Sequence, residues 1–377
     1  MKQRLALRVL AELMEWSDDQ AQAEFAWLKL MSRLKYDGYH GYLAGVRFTE
    51  SLVTWLQQFD ASDRPAAYRL VRERLVFVST QEIRRLVERF YPREVEPRLV
   101  REAARRCGIP AYRVWADDRA RQILARLRRQ TLFIGLSDGA RMDLLRRANI
   151  GVLSNEQSVL TPLIDHDKWR DLGEELCKDT LMGGVSKPRF NSVYVIDDLT
   201  ASGTTLIRHD TEKSKWKGKL PRLRDAIWSA RDKLKEDFPL AEDFSLCVHH
   251  YLATQTALDT AQRLNDQRKS TSGNDGWFSS VEFSTGCVLR DTVKLHSPDD
   301  HAALGLADRY YDPVLETRHT EESGVKDMHL GYGECALTLV LEHNTPNNSL
   351  PLLWAETQGE GGAHPMRPLF RRRSRHV

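Results

Sequence analysis

Apolar residues recur at helical spacing through the first third of the chain: Leu5, Leu7, Val9, Leu10, Leu13 and Met14, then Leu52, Val53, Leu56 and Phe59, three and four residues apart. Glycine and tyrosine interrupt the pattern at residues 36–42, Tyr-Asp-Gly-Tyr-His-Gly-Tyr. Ser79 and Glu82 stand at capping-box spacing and open a further helix through Leu86 and Phe90. The short run Leu75-Val-Phe-Val78 before it reads as a strand or a buried helix end. Up to about Gln130 the pattern predicts a mostly helical region, compatible with a compact helical domain or a winged-helix-like unit. Beyond it, short apolar runs alternate with glycine-bearing turns, at Leu132–Leu136, Ile150–Leu153, Val193–Ile196, Phe244–Val248 and Ala336–Leu341. Helices are predicted over 205–236 and 301–312, and Lys269–Gly276 reads as an exposed polar loop. This texture predicts an α/β domain with a parallel sheet.

The length of 377 residues allows two domains, and the boundaries expected are 1–130 (helical), 131–358 (α/β) and 359–377 (a basic tail). With 41% hydrophobic and 29% charged residues the composition is that of a globular protein. The cysteines at 107, 177, 247, 287 and 335 are widely spaced and odd in number, which argues against a disulfide framework and a cysteine zinc site. No run approaches the roughly 18 apolar residues of a membrane span, so a cytoplasmic protein without a membrane partner is expected. The net charge is only +3, but its distribution is uneven. Ten arginines lie between Arg98 and Arg129 against three acids, and Arg371, Arg372, Arg373 and Arg375 crowd the C-terminus. These are a contact for nucleic acid or a partner, or a solvated helix face.

The segment from Val193 to Leu206, VYVIDDLTASGTTL, carries the chemistry. Its apolar run predicts a buried central strand, which puts Asp197 and Asp198 at the carboxyl end, where open α/β sheets bind ligands. Ala201, Ser202, Gly203, Thr204 and Thr205 form a small, hydroxyl-rich turn whose N–H groups suit an anion at the start of the next helix. Carboxylates beside such a cradle suit a ligand that brings sugar hydroxyls and Mg²⁺. The plainer reading is a strand–turn–helix with an acidic turn.

This segment resembles the phosphoribosyl pyrophosphate signature of type I phosphoribosyltransferases. The resemblance implies that Asp197 and Asp198 bind the ribose hydroxyls, partly through Mg²⁺, and that 201–205 hold the 5′-phosphate. It also implies a pyrophosphate loop at Ser137, Asp138, Gly139, Ala140 and Arg141, with hydroxyl, amide and guanidinium donors. The glycine-rich, basic stretch from Lys178 to Arg189 stands where such enzymes carry a flexible closing loop, making Lys187 and Arg189 candidates to neutralise the leaving group or mere exposed loop charges. His249 and His250 end a strand and face opposite ways, so at most one enters a given pocket. Asn344, Asn347 and Trp354 either wall an acceptor pocket or belong to an Asx-rich turn.

Over most of its length the chain resembles the phosphoribosyltransferase-like proteins of prokaryotic conflict systems (PRTase-CE). Residues 35–39, 75–79, 137–139, 154–157, the Asp197-Asp198 signature, and 343–348 through Trp354 carry the resemblance. It implies a Mg²⁺-dependent enzyme acting on phosphoribosyl pyrophosphate or a related ribosyl phosphate, as an effector in anti-phage, including retron-associated, defence. Two other readings stay open: a sensor of a phosphoribosyl ligand that binds nucleic acid or a defence-system component through its helical part, and a nucleosidase with water as acceptor.

Overall fold

Local signals set the helices of the N-terminal part. Ser17 caps one of them reciprocally, its Oγ accepting from Gln20 N–H at 3.4 Å while the Gln20 side chain accepts from Ser17 N–H at 3.1 Å. The computed structural model describes residues 3–161, 164–210, 213–271, 277–296, 298–317, 320 and 326–372. It begins with helices α1 (Gln3–Leu13), α2 (Asp18–Leu34), α3 (Phe48–Leu56) and α4 (Arg64–Arg69), strand β1 (Val76–Val78) and helix α5 (Thr80–Phe90). The Ser79–Glu82 capping box is formed, Glu82 accepting from Ser79 N–H at 2.8 Å.

Packing divides the chain into two compact units, Met1–Ile83 with Arg290–Val377, and Arg84–Leu289. This does not follow the division expected at residue 130. Helices α6 (Glu96–Cys107) and α7 (Asp118–Arg129) belong with the sheet, because α7 runs straight into β2 (Thr131–Gly135) and Thr131 Oγ1 donates to Leu127 O at 2.8 Å.

After β2 the second unit continues through α8 (Met142–Ala148), β3 (Ser158–Leu160), α9 (His166–Lys178), β4 (Phe190–Thr200), β5 (Arg208–Asp210), β6 (Lys215–Lys217), α10 (Lys219–Leu234), β7 (Leu240–Thr254), α11 (Gln255–Thr271) and β8 (Val281–Leu289). Five strands form a parallel sheet in the order β3-β2-β4-β7-β8. The α/β expectation with a parallel sheet therefore holds. β4 is central and its Val193–Ile196 run is wholly buried, as a strand covered on both faces requires. On one face Val193 and Val195 pack with Leu132, Trp169, Leu223 and Ile227. On the other, Tyr194 stacks on Phe133 with ring centroids 5.6 Å apart.

Three local expectations are corrected. Ile150–Leu153 is a turn, not a strand: Ile150 is 81% exposed, and the strand of this region is β3. The helix expected over 205–236 starts only at Lys219, because β5 and β6 pair as an antiparallel hairpin first. The polar segment from Lys269 is helical to Thr271 as part of α11, and 272–276 lie outside the described residues.

In the first unit the C-terminal segment, with α12 (His301–Arg309) and β9 (Leu339–Leu341), packs on the N-terminal helices. β1 pairs with β9 in parallel, Phe77 opposite Val340. This pair joins distant segments and is not the antiparallel hairpin of a wing. Trp55 Nε1 donates to Leu352 O at 2.6 Å. Residues 359–372 are no separate tail: Met366, Leu369 and Phe370 lie in the core, with Phe370 5.7 Å from both Phe48 and Phe77 between ring centroids. Of the basic run only Arg371 and Arg372 fall among the described residues. All five cysteines are unpaired, and among the described residues no helix is long and apolar enough to cross a membrane.

Phe370→Ala is expected to lower the unfolding free energy by about 3 to 5 kcal/mol through the cavity it leaves. Chemical denaturation of the full chain reads this as a lower midpoint, and a midpoint equal to that of the wild type would remove Phe370 from the core.

Candidate functional site

Parallel pairing brings the ends of β2 and β4 side by side, with Gly135 opposite Ile196 and Leu136 N–H donating to Ile196 O at 2.9 Å. The expected pyrophosphate loop, 137–141, thus lies directly beside the acidic pair. Ser137 Oγ donates to Asp197 Oδ1 at 2.5 Å. Gly139 sits so close to Asp198 that a methyl group in its place would collide with the carboxylate. Tyr251 of β7, fully buried, donates from its hydroxyl to Ala140 O at 2.9 Å and fixes the loop from the other side. Arg141 takes φ +51°, a left-handed conformation that non-glycine residues rarely adopt. The loop's own amides are partly used: Gly139 N–H donates to Ser137 Oγ, Ala140 N–H to Ser137 O and Arg141 N–H to Asp138 O. A cavity of about 610 Å³ opens beside it, lined by Asp138, Asp143, Arg146, Glu156 and Lys168 among others.

The strand alternation sends the two carboxylates to opposite faces. Asp197 points to the side of Val193 and Val195, is almost completely buried, and forms an ion pair with Lys219 at the start of α10. Burial pushes its carboxyl up from the ordinary value, Lys219 pulls it down, and neighbouring Asp198 raises it further. Asp198 is half-buried and accepts from Leu199 N–H at 2.8 Å. His250, paired in register with Asp197, is buried; desolvation drives its imidazole down to about 3, the Lys219 ammonium adds to this and Asp198 opposes it. His249 faces the other way, against Phe90, with Nδ1 2.8 Å from Ser284 Oγ, and burial likewise lowers it to about 3. Of the adjacent pair, only His250 stands near the carboxylates.

The 201–205 turn is held from behind by Thr254, whose Oγ1 donates to Ala201 O at 2.6 Å and accepts from Ala257 N–H at 3.0 Å. Gly203 has φ +77°, and a Cβ there would stand 2.7 Å from Ala257 O, so the turn requires glycine. The Ser202 and Thr204 hydroxyls lie 2.9 Å apart. Among the described residues nothing accepts from the N–H groups of Ser202 to Thr205, which leaves a cluster of backbone donors for an anion. The expected helix N-terminus is not part of this cradle. The first N–H groups of α10, those of Lys219 and Leu220, donate to Thr205 O at 3.1 Å and Leu206 O at 3.0 Å.

Lys187 and Arg189 are not brought to this site. Arg189 immediately precedes β4, eight residues before Asp197, or roughly 26 Å along an extended strand. It donates to Phe238 O at 2.8 Å and Glu236 O at 3.0 Å, and Lys187 pairs with Glu236 at 3.2 Å. Asn344, Asn347 and Trp354 belong to the other unit. There Asn344 N–H donates to Leu341 O in a tight turn, Asn347 O accepts from Tyr332 N–H at 2.7 Å, and Trp354 Nε1 donates to Ser349 O at 2.9 Å, a turn-and-packing set.

Sequence reasoning missed Lys219, Thr254 and Tyr251. The signal for Lys219 was the alternation Lys213-Ser-Lys215-Trp-Lys217-Gly-Lys219, strand-like spacing inside a stretch read as helix. A Mg²⁺ ion here would find two carboxylates at most, since no group of three or more His, Cys, Asp or Glu gathers as a metal site among the described residues. That donor set fits Mg²⁺, which keeps several waters and shares itself with substrate phosphates, and does not make an all-protein cage. Asp198, with Asp197 behind it, would hold the ion.

The PRTase-CE family model matches residues 52–372 of the chain. No curated protein and no solved structure matches it.

His249 and His250 stay neutral in the fold down to about pH 3, whereas in the unfolded chain they take up protons near 6.5. Their burial therefore leaves stability intact above about pH 6.5 and removes it as the pH falls below that, by about 2 kcal/mol per histidine at pH 5. Denaturant midpoints at pH 7.5 and 5 should draw closer in a His249→Gln/His250→Gln variant than in the wild type. An equal drop in both proteins would show that the imidazoles titrate normally.

Proposed function

The chain belongs to the PRTase-CE family, and on that premise we propose that this phosphoribosyltransferase-like protein binds phosphoribosyl pyrophosphate, or a related ribosyl phosphate, with Mg²⁺ and transfers the phosphoribosyl group from the departing pyrophosphate to a nucleophilic acceptor. The observation that carries the reading is the convergence of the two loops on the acidic pair at the end of the central strand, tied by the Ser137–Asp197 hydrogen bond. The biological setting we infer is an effector of prokaryotic anti-phage defence, of the retron-associated kind.

In this reading the N–H groups of 202–205 and the hydroxyls of Ser202 and Thr204 take the 5′-phosphate. Asp198 accepts from the ribose hydroxyls, on a floor set by Asp197. The guanidinium of Arg141 flanks the departing pyrophosphate. The metal supplies charge neutralisation of the phosphates and the leaving group when bound. Bond breaking at C1′ passes through an oxocarbenium-like state, so no nucleophilic side chain is required. The rate comes from holding the pyrophosphate better as its charge develops.

A second reading rests on the arginine-rich helices, and the structure sorts their side chains. Arg129 is buried against Asp179, and Arg128 pairs with Glu96 under Trp115. Arg101, Arg105, Arg106, Arg113, Arg119, Arg121 and Arg126 are exposed, together with Tyr112 at 76% and Trp115 at 49%. Exposed rings among guanidinium groups suit a single-stranded nucleic acid, through stacking and phosphate contacts.

Calorimetry with phosphoribosyl pyrophosphate and Mg²⁺ should give binding that Asp198→Asn weakens roughly 10- to 100-fold, and an assay for released pyrophosphate should lose its signal in the same variant. Binding without release would turn the protein into a sensor, and absence of binding would sink the proposal. For the second reading, an Arg101→Ala/Arg113→Ala/Arg119→Ala variant should bind a labelled single-stranded oligonucleotide more weakly, with a log–log salt slope lower by about 2. No binding by the wild type at low salt would remove that reading.

A further inference from the structure

Both oxygens of Asp197 are engaged by the chain itself. Oδ1 accepts from Ser137 Oγ, and Oδ2 is paired with the Lys219 ammonium, while the carboxylate is shut off from solvent. The lysine is held there by its backbone. Gly218 has φ +119°, and a Cβ on it would stand 2.8 Å from the Leu206 carbonyl carbon, so only glycine lets the chain leave the β5–β6 hairpin at this point. The next residue, Lys219, donates its N–H to Thr205 O at 3.1 Å, which binds it to the 201–205 turn, and its ammonium reaches back across to Asp197. One residue thus contacts both halves of the site, the turn through its main chain and the acidic pair through its side chain.

We propose that Lys219 is a resident cation of this site: it serves Asp197 as a metal ion would, makes Asp197 a positioning group, and leaves Asp198 as the single protein carboxylate for a divalent ion. The proposal deepens the phosphoribosyl reading above in what it says of the ligand's metal, and it rests on that reading only there. It implies that the protein alone has little affinity for a divalent cation, since one carboxylate is too few, and that the ion enters with the phosphates of its ligand. Without the ammonium, Asp197 would be a buried carboxylate with no counter-charge, and a divalent ion would be the natural replacement.

The test uses Mn²⁺ alone, counted by the electron paramagnetic resonance of the free ion, on the full-length chain without any nucleotide or sugar phosphate. Lys219→Met should bind Mn²⁺ more tightly than the wild type, by roughly tenfold or more, and its melting temperature should rise with Mn²⁺ where that of the wild type does not. Lys219→Arg, which restores the charge, should behave as the wild type, and Lys219→Met/Asp197→Asn should lose the gain. Equal Mn²⁺ affinities for wild type and Lys219→Met would overturn the proposal. If Lys219→Met folds only with Mn²⁺ present, the replacement of one cation by another is demonstrated directly, and failure to fold in either condition overturns it. Failure of the wild type to bind phosphoribosyl pyrophosphate would sink the earlier reading and leave this result standing, because the metal is the only probe.

Discussion

A carboxylate buried at the end of the central strand governs the arrangement of everything around it. Asp197 follows directly on four apolar residues of β4 and inherits their burial. A charge in such a place is tolerated only when paired and hydrogen-bonded. The partners come from two distant parts of the sequence, Ser137 after β2 and Lys219 after the β5–β6 hairpin. Removing one partner of a buried ion pair costs about 3 to 5 kcal/mol, a large share of the roughly 5 to 15 kcal/mol that holds a domain folded. Strand pairing and the Gly218 turn place the two loops, and each of them contributes a partner to this one group, which ties the candidate site together.

The pair of acids is chemically unequal for the same reason. Neighbouring residues on a strand project to opposite faces, so Asp197 is turned into the layer beneath α10 and Asp198 toward the Gly139 and Tyr251 side. A motif of two adjacent carboxylates reads in sequence as a single acidic unit. In the fold one of them is part of the scaffold and the other is presented.

What was legible in the sequence was what depends on local periodicity. The central strand, its acidic end, the small turn after it and the loop after β2 all stand where the apolar runs put them, and the Ser79–Glu82 cap opens its helix as expected. What failed depends on tertiary pairing. Ala336–Leu341 looks like any strand of the sheet, yet it supplies β9, the partner of β1 in the other unit. Ile150–Leu153 is apolar enough for a strand but follows α8 as an exposed turn. Phe370, in a stretch that reads as polar and basic, is a core residue because the aromatic side chains around it come from more than 290 positions upstream. The basic loop ending in Arg189 was expected over the reaction centre, but parallel strand direction sends it to the far end of β4.

The hairpin between the turn and α10 also changes how positive potential reaches the cradle. In a direct turn-to-helix connection the helix N-terminus would offer its free N–H groups and a dipole worth about half a unit charge. Here those first N–H groups are already bonded to Thr205 and Leu206 carbonyls, so the helix end is satisfied before any anion arrives. The same connection, however, delivers a full unit charge on Lys219 to the neighbouring acidic pair. What the turn loses as a helix-terminus site it retains as a loop of backbone donors that have no acceptor among the described residues, and the strong cation is assigned to the carboxylate. The site thereby separates two features that a single helix end would combine: backbone amides in the turn, and an ammonium for the buried acid.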